Sequence, residues 1–346
     1  MSSLHYPFAE LPAPGATMQV APGVRWLRMP LPFQLNHINL WLVEESAARG
    51  QAGEWCVVDT GVGNAPTREL WEKIFASLPG FAAQRVLLTH YHPDHAGNAA
   101  WMCERFGVGL WMTQGEYLTA HAVRVATAGY TSEAVLEVFR RNGLEEERRA
   151  AMGGGGNRYA KLVPEFPHSY RRILDGERIR IGPHEWRAIV GYGHAPEHLS
   201  LYCKDLNVLI AGDMLLSTIS TNVSVWSVDP EGDPLRLFLE SIARYRELPE
   251  DVLVLPSHGK PFRGAHQRVA ELEKHHEDRF AELMEAISAA PKSAAELLGV
   301  LFRRPLDAHQ TFFAMGEAIA HLHYLYYAGR ATRAVGADGV MRYARA

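Results

Sequence analysis

Short, nearly continuous apolar runs recur through most of the chain, and several are closed abruptly by Asp, Gly or His. A run of this length without alternation fits a strand covered on both faces. The pattern predicts strands over residues 24–27, 38–43, 55–61, 86–88, 178–181, 186–190, 199–202, 208–211 and 252–255, with Pro30-Leu31-Pro32 turning the chain between the first two. Helical periodicity occupies 67–78 and 96–105. Strands alternating with helices predict an α/β layered domain.

Two stretches break that rhythm. Residues 115–175 carry helical patterns over 115–123, 131–142 and 144–152, followed by Gly153-Gly154-Gly155-Gly156, which reads as a flexible joint. An insertion of this kind between strands suits a lid over a site built at strand ends. Beyond residue 265 the pattern is helix (266–289), helix (293–302), helix (309–328) and a hairpin of 331–335 with 340–343 across Gly336-Ala337-Asp338-Gly339. The expected division is therefore 1–265, with its insertion, and 266–346.

Composition narrows the classes. At 346 residues and 47% hydrophobic content the chain can bury a large core. A net charge of −4 supplies no global field for nucleic acid or acidic membranes, and no apolar run is long enough to span a bilayer. Residues 1–18 lack a basic segment followed by an apolar one, so a cytoplasmic protein is expected. Cys56, Cys103 and Cys203 show no Cys-x-x-Cys spacing and read as buried thiols.

The candidate chemistry sits where strands end. The run 86–88 leads into Thr89-His90-Tyr91-His92-Pro93-Asp94-His95, a spacing that offers His90 and His92 to one cation and, after the turn near Pro93, Asp94 and His95 to a second. Gly193-His194-Ala195 follows another strand and supplies His194 as a third ligand to the first cation. Asp213 follows a third, and its two oxygens suit it to bridge the pair. His258 closes a fourth. Asp59, at the end of 55–58, is either a helix cap or turn residue, or a carboxylate that orients a ligand histidine. His198 is a support for the site, a proton donor, or a plain turn residue. Arg158, Tyr159, Lys161, Arg171 and Arg172 form either a solvated surface or a grip on an anionic part of the substrate.

His90, His92, Asp94, His95, His194, Asp213 and His258, in this order, resemble the ligand set of the metallo-β-lactamase fold superfamily over about residues 20–265. The resemblance implies an αββα sandwich with two divalent cations at one edge of the sheets. One would be held by His90, His92 and His194, the other by Asp94, His95 and His258, with Asp213 between them. Aspartate at 213, where zinc β-lactamases usually carry cysteine, is similar to the glyoxalase II and phosphodiesterase branches. Gly193-His194-Ala195-Pro196-Glu197-His198 is similar to the Gly-His-Thr-Pro-Gly-His of glyoxalase II, departing at Ala195 and Glu197. The C-terminal order of elements resembles a winged helix, and a similar module occurs in the lactamase-beta-like endoribonuclease group.

These features imply a dinuclear metal-dependent hydrolase with Asp94, Asp213 and His198 as the candidate catalytic set. A thiolate leaving group needs little help from a general acid, which favours an anionic thioester of coenzyme A or glutathione, attacked by a metal-bridging hydroxide. The alternatives are an endoribonuclease or other phosphodiesterase, a lactonase, or a non-catalytic regulator. Zinc is the first expectation for the metal, with iron and manganese suited to the same donors. Phe312, Phe313, Leu322, Tyr324 and Tyr327, at near-helical spacing, read as core or as a homodimer contact.

Overall fold

The computed structural model describes residues 4–33, 35–45, 53–153 and 156–346. Gly154 and Gly155 of the expected joint lie outside the described residues. Strands β1 (Met18–Ala21), β2 (Val24–Pro30), β3 (His37–Glu44), β4 (Glu54–Val58), β5 (Ala82–Leu87), β6 (Leu110–Met112) and β7 (Tyr170–Arg172) form one sheet in that order. It is antiparallel from β1 to β4 and parallel from β4 to β7. A second sheet contains β8 (Arg178–Ile181), β9 (His184–Gly191), β10 (His198–Cys203), β11 (Val208–Gly212) and β12 (Leu253–Pro256), in the order β12-β11-β10-β9-β8. A separate hairpin pairs β13 (Ala331–Val335) with β14 (Met341–Arg345).

Alternation along each strand explains why the runs are apolar throughout. Trp26, Trp41, Cys56, Val58 and Leu87 face Trp186, Leu199, Leu201, Cys203 and Ile210 in a core between the two sheets. The intervening Leu27, Leu40, Val57 and Val86 point the other way, against Leu70, Trp71, Ile74 and Met102 of the helices Ala65–Ser77 and Ala99–Phe106. Both faces of the central strands β3 and β4 are thus dry. Leu209, Ala211 and Val254 on the outer face of the second sheet share a core with Phe238, Val269 and Phe280 of helices Pro234–Ala243 and Ala265–Ala286. The result is two facing sheets with helices on both outer sides. Truncating a fully buried tryptophan such as Trp26 or Trp186 in such a core would cost about 3–5 kcal/mol.

The C-terminal elements share this core. Ala294, Leu297, Leu301, Met315, Leu322 and Tyr343 belong to the same buried cluster as Leu209 and Val254. The long helix Ala308–Tyr327 is closed at its start by a capping box, Asp307 with Gln310. Two insertion helices pack on it: Phe139 of Ser132–Arg141 meets Phe312 edge-on at 5.7 Å, and Arg148 of Glu146–Met152 donates to Thr311 Oγ1 at 2.8 Å. Among the described residues no helix is long and apolar enough to cross a membrane.

Several expectations shift. The strand predicted over 55–61 ends at Val58, because Asp59 takes a left-handed conformation, φ 60°. The helix predicted from 96 starts at Ala99, separated by Gly97 and Asn98 from a single turn, Pro93–Ala96. The helix predicted over 293–302 is a 3₁₀ turn, Ala295–Leu297, running into Leu298–Leu301. β1, β6, β7 and the helices Arg158–Leu162 and Pro234–Ala243 were not legible in the pattern; the strands among them have only 3 or 4 residues.

Candidate metal centre

The ligand loop begins where β5 leaves the sheet. Thr89 donates its amide to Asp59 Oδ1 and its hydroxyl to Asp59 Oδ2, each at 2.8 Å, and its carbonyl accepts the Leu199 amide at 2.8 Å. This fixes the direction in which the next residues depart, joining the ends of both sheets. His90 and His95 are fully buried, and the turn Pro93–Ala96 carries Asp94 and His95 away from His90 and His92.

Two groups of donors result. His90 Nε2 lies 2.8 Å from His92 Nδ1 and 3.2 Å from His194 Nε2. Across from them, Asp94 Oδ2 lies 3.4 Å from His258 Nε2 and 3.7 Å from His95 Nε2. Asp213 stands between: Oδ1 is 3.5 Å from both His95 Nε2 and His258 Nε2, and Oδ2 is 3.5 Å from His194 Nε2. Within each of the sets His90/His92/His194, His90/His95/Asp213 and Asp94/His95/His258, the donor atoms lie within 4.8 Å of one another.

The donor set fits cations on chemical grounds. Three ring nitrogens converge, His92 Nδ1 and His194 Nε2 at 2.8 and 3.2 Å from His90 Nε2, a spacing that suits a shared cation. His95 Nε2 and Asp213 Oδ1 are buried without a hydrogen-bond partner among the described residues, an arrangement that is costly unless something charged is coordinated. Burial and the neighbouring imidazoles push His90 well below the usual histidine range and His92 down to about 3. Burial opposes charge on Asp94, yet His95 and His258 draw it down to about 2, and His258 and His95 likewise hold Asp213 well below the carboxylate range. His90 and His92 are thereby kept neutral and both carboxylates ionised, the forms that ligate. Against burial, the neighbouring carboxylates raise His95 and push His258 up to about 10, so a cation there displaces protons.

Outer contacts aim the rings. His95 Nδ1 donates to Asp59 Oδ2, His194 Nδ1 to the Asn222 carbonyl and His258 Nδ1 to the His37 carbonyl, each at 2.8 Å. Each leaves Nε2 facing the centre. Asp59 is therefore placed as an orienting carboxylate, while Asn64 caps the helix Ala65–Ser77. His198 is fully buried beneath Asp213, with Nε2 accepting the Asp213 amide at 3.0 Å. That nitrogen is committed to holding the turn. Gly212 makes the contact possible: at φ 55°, a Cβ there would lie 2.4 Å from the His198 ring.

The basic candidates scatter. Arg158 and Lys161 are exposed on the helix Arg158–Leu162. Tyr159 is buried, and its hydroxyl donates to the Tyr91 carbonyl at 2.7 Å, so it braces the ligand loop from behind rather than facing a substrate. Arg171 lies on β7, stacked 4.0 Å over Trp111 and paired with Glu177; Arg172 is exposed on the same strand.

Three supports escaped the sequence reading. Fully buried Glu116 accepts the Tyr91 amide at 2.9 Å and the Glu197 amide at 2.6 Å, tying the His90/His92 loop to the His194 loop; burial pushes its carboxyl up to about 8. Asn39 donates to the carbonyls of Pro256 and Gly259 at 2.8 and 3.0 Å, on either side of His258. Thr89 is the third. Only Asn39 left a trace in the sequence, as a polar residue inside an apolar strand.

Two sheets whose strand ends converge on paired His/Asp groups define a class, and comparison with known proteins names it. Residues 35–258 match the Metallo-beta-lactamase superfamily, and residues 280–346 match the Metallo-beta-lactamase-like, C-terminal domain. The chain belongs to the metallo-beta-lactamase superfamily. It is similar to a beta-lactamase domain protein from Burkholderia ambifaria of solved structure, with 50% identity, TM-score 0.91 and coverage of 99% of this chain and 98% of that one. It is 22% identical to the probable metallo-hydrolase YqjP of Bacillus subtilis, over 86% of this chain and 91% of that protein. It is 23% identical to an atrochrysone carboxyl ACP thioesterase of Aspergillus fumigatus, over 82% of this chain and 75% of that protein.

Proposed function

We propose that the protein is a dinuclear metal-dependent hydrolase acting on anionic thioesters, of which coenzyme A and glutathione thioesters are the first candidates. The observation that carries this reading is Asp213, with one oxygen toward His95 and His258 and the other toward His194. Two divalent cations, zinc, iron or manganese, held by His90, His92 and His194 and by Asp94, His95 and His258 with Asp213 between, would supply Lewis acidity and lower the pKa of water. The protein's own part is positional: Asp59, Asn222 and His37 aim the rings, and His198 fixes the backbone of Asp213.

The choice of thioester rests on the candidate acids Asp94, Asp213 and His198. Asp94 and Asp213 are held ionised and offer no proton to a leaving group, and His198 Nε2 is engaged by the Asp213 amide. A thiolate, conjugate acid pKa about 8.5, leaves without a donor, whereas an alkoxide does not. The thioesterase from Aspergillus supports the same chemistry in a distant relative. The test is thiol release from a panel of coenzyme A and glutathione thioesters, with metal-reconstituted wild type beside Asp213→Ala. The variant is expected to lose a cation and more than about 100-fold of activity, since removing even an outer partner costs 10–100-fold. Full turnover and full metal content in Asp213→Ala would end the two-metal reading.

A phosphodiesterase or endoribonuclease is the second reading, carried by the C-terminal helices and the hairpin β13–β14. Against it, Arg330, Arg333 and Arg342 around that hairpin are already paired with Glu277, Glu231 and Asp338. Affinity for single-stranded RNA that falls steeply with salt would favour it.

A further inference from the structure

His309, Phe313 and Glu317 stand four residues apart on the helix Ala308–Tyr327 and so form one stripe along its length. The adjacent positions are committed to packing: Phe312 meets Phe139 and Trp226, and Met315 and Ala318 are buried in the core. The stripe differs. His309 is exposed, Phe313 keeps 38% of its surface in solvent, and Glu317 is partly exposed.

Each end of this stripe touches an element that braces a ligand. The His309 ring stacks on Phe33 at 6.1 Å and meets Phe313 edge-on at 5.1 Å. Phe33 lies in the loop entering His37, whose carbonyl holds His258. Arg158 is close enough that its charge, after burial, depresses the basicity of His309, and the next residue, Tyr159, grips the carbonyl between His90 and His92. At the inner end, Glu317 Oε2 accepts the Asn222 amide at 3.2 Å, and the Asn222 carbonyl holds His194. The stripe therefore spans the surroundings of both ligand groups, from the His258 side and the His90/His92 side to His194.

We infer that this helix face is the wall that selects the part of the substrate beyond the scissile bond. It takes an apolar or aromatic group against Phe33, His309 and Phe313, in a molecule that carries an anion within reach of Arg158. Phe313 leaves 38% of its surface to solvent beside the stacked Phe33–His309 pair, and Arg158 forms no ion pair among the described residues. The aromatic-anion chemistry follows from that pairing of apolar surface with unspent charge. The inference deepens the hydrolase reading, on which it rests for the reaction but not for the binding.

The test has two arms. Equilibrium titration of the metal-loaded protein with 1-anilinonaphthalene-8-sulfonate, an aromatic anion, should reveal one saturable site. Phe313→Ala and Arg158→Glu should each weaken it about tenfold, with metal content and circular dichroism unchanged. In the kinetic arm, benzoyl-coenzyme A hydrolysis by Phe313→Ala should show a KM raised about tenfold with kcat retained, the pattern of lost uniform binding. Wild-type titration curves in both variants would overturn the inference whether or not any thioester is cleaved. Absence of thiol release with the titration result intact would instead overturn the thioesterase reading alone.

Discussion

Asp59 Oδ2 lies 2.8 Å from His95 Nδ1 while the same carboxylate receives both the amide and the hydroxyl of Thr89. One buried side chain thus sets the direction of the ligand loop and the orientation of a ring that faces both Asp94 and Asp213. Asp59→Asn tolerates the left-handed backbone but turns an acceptor into a donor facing Thr89 or His95. Metal affinity at the Asp94/His95/His258 group should fall about 10–100-fold, read by chelator competition. An unchanged affinity would remove Asp59 from the account.

The candidate ligands were legible because each stands just past an apolar run, and the strand ends bring them into groups that could hold a cation. The supports were poorly legible, for a physical reason. Glu116 sits in the first turn of the helix Gln114–Arg124, where an acid is ordinarily a partner for the helix dipole. Only the approach of Tyr91 and Glu197 from distant segments makes it a clamp. Asn222, Thr221 and Ser224 lie in a stretch without periodicity, so nothing local announces that Asn222 holds His194 or that Thr221 anchors the Asp213 carbonyl. The strands β6 and β7 are legible only as extensions of a sheet already present.

The C-terminal helices bury a histidine pair with a pH cost. His276 Nδ1 lies 3.1 Å from His321 Nε2, and His276 Nε2 has no partner among the described residues. Burial, with His321 close by, pushes His276 down to about 2, and burial pushes His321 down to about 4. The unfolded chain protonates both near pH 6.5, so their stability contribution is intact above that pH and lost as pH falls toward 4. Each histidine should cost about 1.4 kcal/mol per pH unit through that window. Urea unfolding at several pH values should show a shallower acid loss in a His276→Leu/His321→Leu double variant than in wild type. Parallel curves would mean that the pair already titrates in the folded state.

Gly316 packs the C-terminal helix tightly against the loop that carries Asn222 and Ser224. A Cβ there would stand 2.6 Å from Ser224 Oγ and 2.7 Å from Ser224 Cβ, while the Gly316 carbonyl accepts the Val225 amide at 3.2 Å. Ser224 Oγ in turn donates to Asn222 Oδ1 at 2.8 Å. Gly316→Ala must push the helix from that loop, and overpacking of this kind costs about 1–3 kcal/mol. Because Asn222 aims His194, the variant should also bind its cations more weakly, an effect that general destabilisation does not require. Gly299→Ala provides the contrast: nothing lies within 4 Å of the added Cβ, and the change should be neutral or stabilise by about 0.4–1 kcal/mol through the unfolded chain. Thermal melts of both variants, with metal affinity measured alongside, separate the outcomes. Loss of stability in Gly316→Ala with unaltered affinity would show that the C-terminal helix packs against the site without governing it.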